Sequence, residues 1–581
     1  MLGKAKEELD KVDTCMNHTR DLRERFEDDF EKSRNEKFDI PKEEGKWDSY
    51  TTNRPSTDTR KLTNILASSR LKLWIPLTDE DEKKRKNLSK TERFPYGAIA
   101  LRDSIYQTIP SALCLQESMS WFAPVRGWVA LLCYLYEEDD GKNGKVTPHI
   151  PVWDILNTYW IEGSSGLLWA AYKRYATADE VKDQYGEDLK PDSKGRVELY
   201  NVWDGDQFGT IGEKEWVGKK GQPTDHNCGH LPVLILPAGA TPLIQSGRHS
   251  NTIKDVGESC LVNNRNLYDT ESRMGSYLLT LAGRAAKTPL KHKWDSTKGG
   301  TAPELDSSPF EKGTVVPVDV GMGEDVEPTV PPQLTREFFA FFEYLQSRLS
   351  VGGQTPIAFG EINQALPAAG INLLRHASLD NIKPFQQVME RAYAWLGHEL
   401  VSQYKSGSWS GGGKMKIQGI DGSNRLFKVD VKPDDIDDSW NFNAKLIADL
   451  PQDMMANIGM AVQATQADLL SLQTSRDRFD LSDDPDQEQG IIDRERAFRI
   501  AAIQLRKTAA ALMEDGDEEG AQIIIDEIER MRGETEQRRP GVASQPGMPS
   551  PVRPSADTTA VVPEPPGVSK FKKFMSRFGG G

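Results

Sequence analysis

Two helix-forming stretches enclosing a proline-rich excursion constrain this chain more than any other feature. Ile253 to Ala286 has helical apolar spacing and almost no internal breaker except Gly275. Residues 287–333 then hold seven Pro, which rules out a continuous helix or a central strand there. Leu334 to Leu349 is helical again, with Leu334, Phe338, Phe341, Phe342, Leu345 and Leu349 on one stripe. The first stretch, at about 30 residues, would run about 45 Å as a straight helix. Two helices flanking a small tip make a stalk, and a stalk on a monomer buries too little apolar surface. Side-by-side packing in an oligomeric ring would bury those faces.

The rest of the chain reads as mixed helix and strand, α+β and mainly helical. Residues 1–40 read as one charged helix whose thin stripe of Leu9, Val12, Met16, Leu22 and Phe26 must lean on something else. Residues 41–62 read as loop, 63–73 as a short helix, and 79–90 as a solvated charge run. Residues 97–138 carry helical periodicity, densest around Trp128 to Leu132. The period then changes. Trp153 to Glu162, Leu167 to Tyr175, Val197 to Trp203 and Leu231 to Pro237 read as strands of an antiparallel sheet. Thr177-Ala178-Asp179-Glu180 is a capping box opening a short helix to Tyr185. Within the excursion, 314–316 and 318–320 read as a strand pair. Gly352-Gly353 ends the second stalk helix. A long helix is expected over 368–404, a strand pair at 414–420 with 425–431, and helices from 441 to 532 broken at Pro451 and Pro485. Residues 533–581 hold 8 of the 34 Pro and read as a disordered tail.

Composition excludes several classes. With 73 Lys+Arg against 88 Asp+Glu the net charge is −15, so the chain is no uniformly basic nucleic-acid coat. The longest apolar run, Gly127 to Tyr136, is half of the roughly 20 residues a membrane span needs. The N-terminus lacks an apolar h-region, so no signal peptide is expected. Five widely spaced Cys without a CxxC point to reduced thiols. Enzyme motifs are missing too. No Gly-Lys pair is followed by Ser or Thr, as a phosphate-cradling loop requires. In Gly407-Ser408-Trp409-Ser410-Gly411 a Trp occupies the nucleophile position of a GxSxG elbow. No catalytic residue, metal or cofactor is therefore assigned, and no enzymatic turnover is expected.

Two segments carry metal-ligand residue types. His226-Asn227-Cys228-Gly229-His230 places three possible zinc ligands in five residues, but one tight loop rarely surrounds a tetrahedral ion. A polar turn before a strand is the competing reading, and the sequence leaves the choice open. Asp480 to Asp486 resembles the start of a calcium loop, yet Pro485 stands where the turn needs Gly.

The order of parts, together with several segments, resembles tailed-bacteriophage portal (head-to-tail connector) proteins over roughly residues 45–500. The segments are Trp160 to Tyr172, Asp255 to Ser259 with Asn264 to Asp269, Pro356 to Glu361, and Ser475 to Phe479 before Asp484-Pro485-Asp486. The resemblance implies a subunit of a ring, usually of twelve, at one capsid vertex. Double-stranded DNA would be packaged and ejected through its channel. It implies a wing (45–254 and 367–440), stem helices (255–286 and 334–349), a clip (287–333), a tunnel loop (350–366) and a helical crown (441–532), with 1–44 and 533–581 outside. Implied partners are other copies of the chain, terminase, a tail adaptor, scaffold and major capsid protein, and DNA, but no membrane. The implied location is the virion, after assembly in the host bacterial cytoplasm. A tail adaptor or scaffold-associated head protein is the alternative.

On that resemblance Gly352, Gly353, Gln354, Thr355, Asn363 and Gln364 would face DNA, the glycine pair acting as a hinge. Lys287, Lys291, Lys293 and Lys298 would form a partner-binding collar. An acidic wall suits a sliding polyanion, since many Lys and Arg would grip it. In the tail, Phe571, Phe574 and Phe578 fall on one face of a basic segment expected to be a short docking helix.

Overall fold

The computed structural model describes residues 2–41, 47–76, 85–138, 145–164, 166–218, 221–239, 241–242, 253–286, 290–294, 315–319, 325–328, 336–353, 381–409, 412–422, 426–447, 454–472 and 475–476, plus scattered positions from 489 to 530. It forms two compact units, 1–485 and 486–581. In the second, the longest described stretch is helical, 522–526.

In the first unit the helices are α1 (Ala5–His18), α2 (Arg20–Ser33), α3 (Arg54–Ser68), α4 (Arg85–Tyr106), α5 (Leu115–Arg126), α6 (Ala178–Tyr185), α7 (Arg265–Ala286), α8 (Arg336–Gly352), α9 (Lys383–Ser406) and α10 (Met454–Gln466). The strands are β1 (Arg70–Trp74), β2 (Trp128–Leu132), β3 (Tyr134–Glu138), β4 (Lys145–His149), β5 (Val152–Trp153), β6 (Thr158–Gly163), β7 (Gly166–Thr177), β8 (Arg196–Trp203), β9 (Gln207–Gly212), β10 (Glu215–Val217), β11 (Thr224–Asp225), β12 (Val233–Pro237), β13 (Leu290–Trp294), β14 (Val315–Asp319), β15 (Asp325–Pro328), β16 (Met415–Ile420), β17 (Leu426–Val431) and β18 (Asn443–Ile447).

The main core forms around α9. Pro384 opens this helix and Gly407 follows it. Val388, Met389, Ala392, Tyr393, Leu396 and Leu400 recur at helical spacing and are buried with residues of α3, α4, α5, β2, β16 and β17. A second core lies across β2. Strand alternation sends Val129 and Leu131 into the first core and Trp128, Ala130 and Leu132 into the second. All five residues of β2 are buried. A strand with two apolar faces shows no alternation, so the helical reading of 97–138 fails from Trp128 onward.

Other expectations are corrected in the same way. The single sheet becomes two: β6 to β10 form one meander with β11 added on β9, while β12 leaves it to pair with β2. The helix expected at 63–73 starts at Arg54, inside the stretch read as loop, and ends at Ser68, and β1 follows it, paired antiparallel with β18. The region expected to be helical from 441 therefore begins as a strand, anchored by buried Phe442 and Leu446. The helix expected over 1–40 is two helices that part at Thr19. Ile253 to Asn264 contains two 3-10 turns, and the long helix starts only at Arg265. Residues 315–319 are one strand, not half of a pair. It runs parallel to β13, and β15 pairs with the other side of β13 antiparallel. Pro317 is tolerated there because β14 is an edge of its sheet.

Elsewhere the sequence reading matches in part or whole. Of the expected capping box, Thr177 accepts from the Glu180 N–H at 3.2 Å, while the Glu180 carboxylate accepts from Arg174 at 2.8 Å instead of returning to Thr177, and α6 stops at left-handed Gly186. β16 and β17 pair antiparallel. The charged N-terminal stripe does lean on the sheet: Ala5 and Val12 pack with Tyr159, Trp169 and Ile211. Buried Glu8 accepts from Trp169 Nε1 at 2.7 Å.

Candidate functional site

The candidate site is the root of the α7–α8 pair, where three systems of polar contacts fix two helices that lead into the small sheet β13–β15. Apolar contact comes first. Tyr268 of α7 and Leu345 and Leu349 of α8 bury together with Leu261. Gln346 Nε2 then donates to Glu271 Oε1 at 2.9 Å, and Arg54 of α3 reaches both Glu271, at 3.4 Å, and Gln346. Glu271 is buried, so the guanidinium and the amide, both at Oε1, offset part of the cost of desolvating the carboxylate, whose buried Oε2 has no hydrogen-bond partner among the described residues.

A hydroxyl ladder forms the second system. Ser272, Ser276 and Thr280 are four residues apart, hence on one face of α7. They accept from the backbone N–H of Thr52 (3.2 Å), Tyr50 (2.9 Å) and Asp48 (2.8 Å). Ser276 and Thr280 also donate to the carbonyls four residues back. Alternate N–H groups of the extended segment 48–52 are thus satisfied by a helix instead of a strand. The Tyr50 ring crosses Gly275, where a Cβ would lie 2.2 Å from Tyr50 Cδ1.

The third system holds the start of α7. Asp29 of α2 is fully buried and takes two hydrogen bonds from Arg265, at 2.7 and 2.8 Å, and one from Ser259 Oγ at 2.8 Å. Arg25, one turn earlier, donates to the carbonyls of Lys254, Val256 and Gly257. Burial lowers the Arg25 guanidinium to about 10, so it stays charged at neutral pH. Burial likewise raises the Asp58 carboxyl, although it accepts from Tyr268 OH at 3.2 Å.

Gly352 and Gly353 close α8 in this setting. Asn264 Nδ2 donates to Leu349 O at 2.9 Å, and Gly353 N donates to the same carbonyl at 3.0 Å. Gly353 is buried, and its own carbonyl accepts from Asn381 Nδ2 at 3.4 Å. The glycines are required here by close approach. Gln354, Thr355, Asn363 and Gln364 lie outside the described residues, as do Lys287, Lys298 and the tail from Lys570 to Phe578. Lys291 and Lys293 are on β13, where their register partners are Val316 and Val318 on one side and Glu327 and Asp325 on the other. Along α8, Leu345 and Leu349 are buried and Phe338 and Phe342 are half-buried. Phe341, Tyr344 and Val351 are exposed on an adjoining face, at 47%, 55% and 73%.

The His226–His230 segment does not converge on one point. His226 Nε2 lies 3.0 Å from Asp204 O, while His230 Nε2 lies 2.8 Å from Glu399 Oε2. Cys228 N–H donates to His226 Nδ1 at 3.2 Å. Among the described residues no group of three His, Cys, Asp or Glu is gathered to hold a metal ion. None of their helices is long and apolar enough to cross a membrane. Sequence reasoning missed Asp29, Arg265, Asn264 and the hydroxyl ladder. The spacing of Ser272, Ser276 and Thr280 was the readable signal. The Asp29–Arg265 pair, 236 residues apart, left none.

No family model matches the chain, and no curated protein matches it. Among solved structures, a chain from the neck of an empty GTA particle computed with C6 symmetry is similar. It is 12% identical, with a TM-score of 0.36, and the alignment covers 74% of this chain and 90% of that chain.

Proposed function

We propose that this chain is a portal subunit: a ring, of twelve copies on the resemblance, through which double-stranded DNA enters and leaves a bacteriophage head. The observation that carries the reading is the α7–α8 pair. Its root is over-determined by buried polar contacts, while Phe341, Tyr344 and Val351 stay uncovered on one chain. Exposed aromatic rows on a braced helix suit burial against a second copy. The segment order that resembles portal proteins supports the same assignment. The small sheet β13–β15 is the clip, where terminase and tail adaptor dock. The chain after Gly353 is the tunnel loop, and the function is structural, without turnover.

The test is a phage stock lacking this chain. A portal's loss leaves heads without DNA, and supplying the chain in trans restores filling. DNA-filled heads without tails would overturn the proposal in favour of a tail adaptor, and normal heads would overturn it in favour of an accessory role.

A further inference from the structure

A cavity of about 470 Å³ opens among α2, α3 and α5, which pack on one another. None of its lining residues belongs to the contacts of the α7–α8 root, and it does not rest on the ring reading. Phe30 and Trp121 line it, and their rings meet edge to face at 6.0 Å between centroids. Arg34 and Arg60 line it, both exposed and neither in an ion pair among the described residues. Arg34 is held over the Phe30 ring, 5.5 Å from its centroid. Ser33, Thr59, Asn64 and Thr63 also line it, and Thr63 Oγ1 is buried without a hydrogen-bond partner among the described residues. Among the described residues no carboxylate lines the cavity, in a chain whose net charge is −15.

We propose that this cavity binds a phosphate ester with an attached flat ring. Two guanidinium forks and a side-chain amide offer more donors than the two oxygens of a planar carboxylate accept well. A phosphate oxyanion presents more acceptor oxygens and forms charge-assisted bonds with Arg. The indole of Trp121 gives a base a surface to stack on. A mononucleotide and a nucleic-acid strand share this chemistry.

The experiment is calorimetric titration of the full chain with deoxyadenosine 5′-monophosphate, with deoxyadenosine and with a short oligothymidylate. The monophosphate should bind at least about tenfold more tightly than the nucleoside, the loss expected for a charged hydrogen bond. Arg34→Ala with Arg60→Ala should lose at least as much with an unchanged melting temperature, and Arg60→Lys should lose less, its point charge replacing the fork. Tighter binding of the oligonucleotide than of the monophosphate assigns the site to a strand, and the reverse assigns it to a mononucleotide. Equal affinity of monophosphate and nucleoside, an unaffected double variant, or binding of polyglutamate but of neither phosphate probe would overturn the proposal.

Discussion

Asn264 and Gly352 interlock: a Cβ on Gly352 would lie 2.2 Å from Asn264 Oδ1, while Asn264 Nδ2 holds the carbonyl of Leu349 at 2.9 Å. The end of α8 is therefore clamped to the start of α7. Gly352→Ala forces the carboxamide away and should lower stability by about 1–3 kcal/mol, the usual range for overpacking. In Gly352→Ala with Asn264→Ala the two losses should be less than additive, because the clash is already gone. Thermal melting of the four proteins measures this, and strict additivity would show that the residues do not touch.

The hydroxyl ladder makes a second expectation. Ser276→Ala removes the acceptor of the Tyr50 N–H, a half-buried bond to a fully buried hydroxyl. Loss of such a bond costs about 0.5–1.5 kcal/mol. Amide exchange at Tyr50 should accelerate while exchange along α9 stays as it was. Unchanged protection at Tyr50 would mean that another group carries this segment.

Asp29 joins the N-terminal helices to α7. Asp29→Ala leaves the Arg265 guanidinium without its carboxylate, and breaking a buried pair costs about 3–5 kcal/mol. Asp29→Asn, which keeps one acceptor oxygen, should cost less. Denaturant titration compares them, and a loss near zero for Asp29→Ala would remove the clamp from the account.

Two histidines four residues apart should titrate in opposite senses. The hydrogen bond to Glu399 raises His230, so its contribution is complete below about 6.5 and is lost as pH rises through the folded value. Burial lowers His226, so its contribution is complete above about 6.5 and is lost as pH falls through the folded value. In melting curves between mildly acidic and mildly alkaline pH, His230→Asn should flatten the alkaline side and His226→Asn the acidic side. The reverse pattern would contradict the hydrogen-bond assignment.

Where local chemistry decided the structure, the sequence was readable. Thr177 specifies the start of α6, runs rich in aromatic and β-branched residues set off by Gly, Asp and Asn mark β7 and β8, and period-two alternation marks β16 and β17. Long-range burial was not readable. β2 serves two cores and so lacks a polar face. β1 and β18 pair across more than 360 residues, and each alone is a short apolar stretch that a helix could also use. At the candidate site the two helices and their glycine stop were visible, but what fixes them was not. Asp29, Asn264 and Glu271 acquire meaning only from partners far along the chain.

The central claim is that copies of this chain close into a ring around a channel, with Phe341 and Tyr344 covered by the neighbouring copy. Negative-stain electron microscopy of the purified full chain tests it most directly. The account predicts rings with a central hole, lost in Phe341→Glu with Tyr344→Glu while the melting transition of the subunit remains. Only monomers or dimers at micromolar concentration, or rings that survive both substitutions, would contradict it.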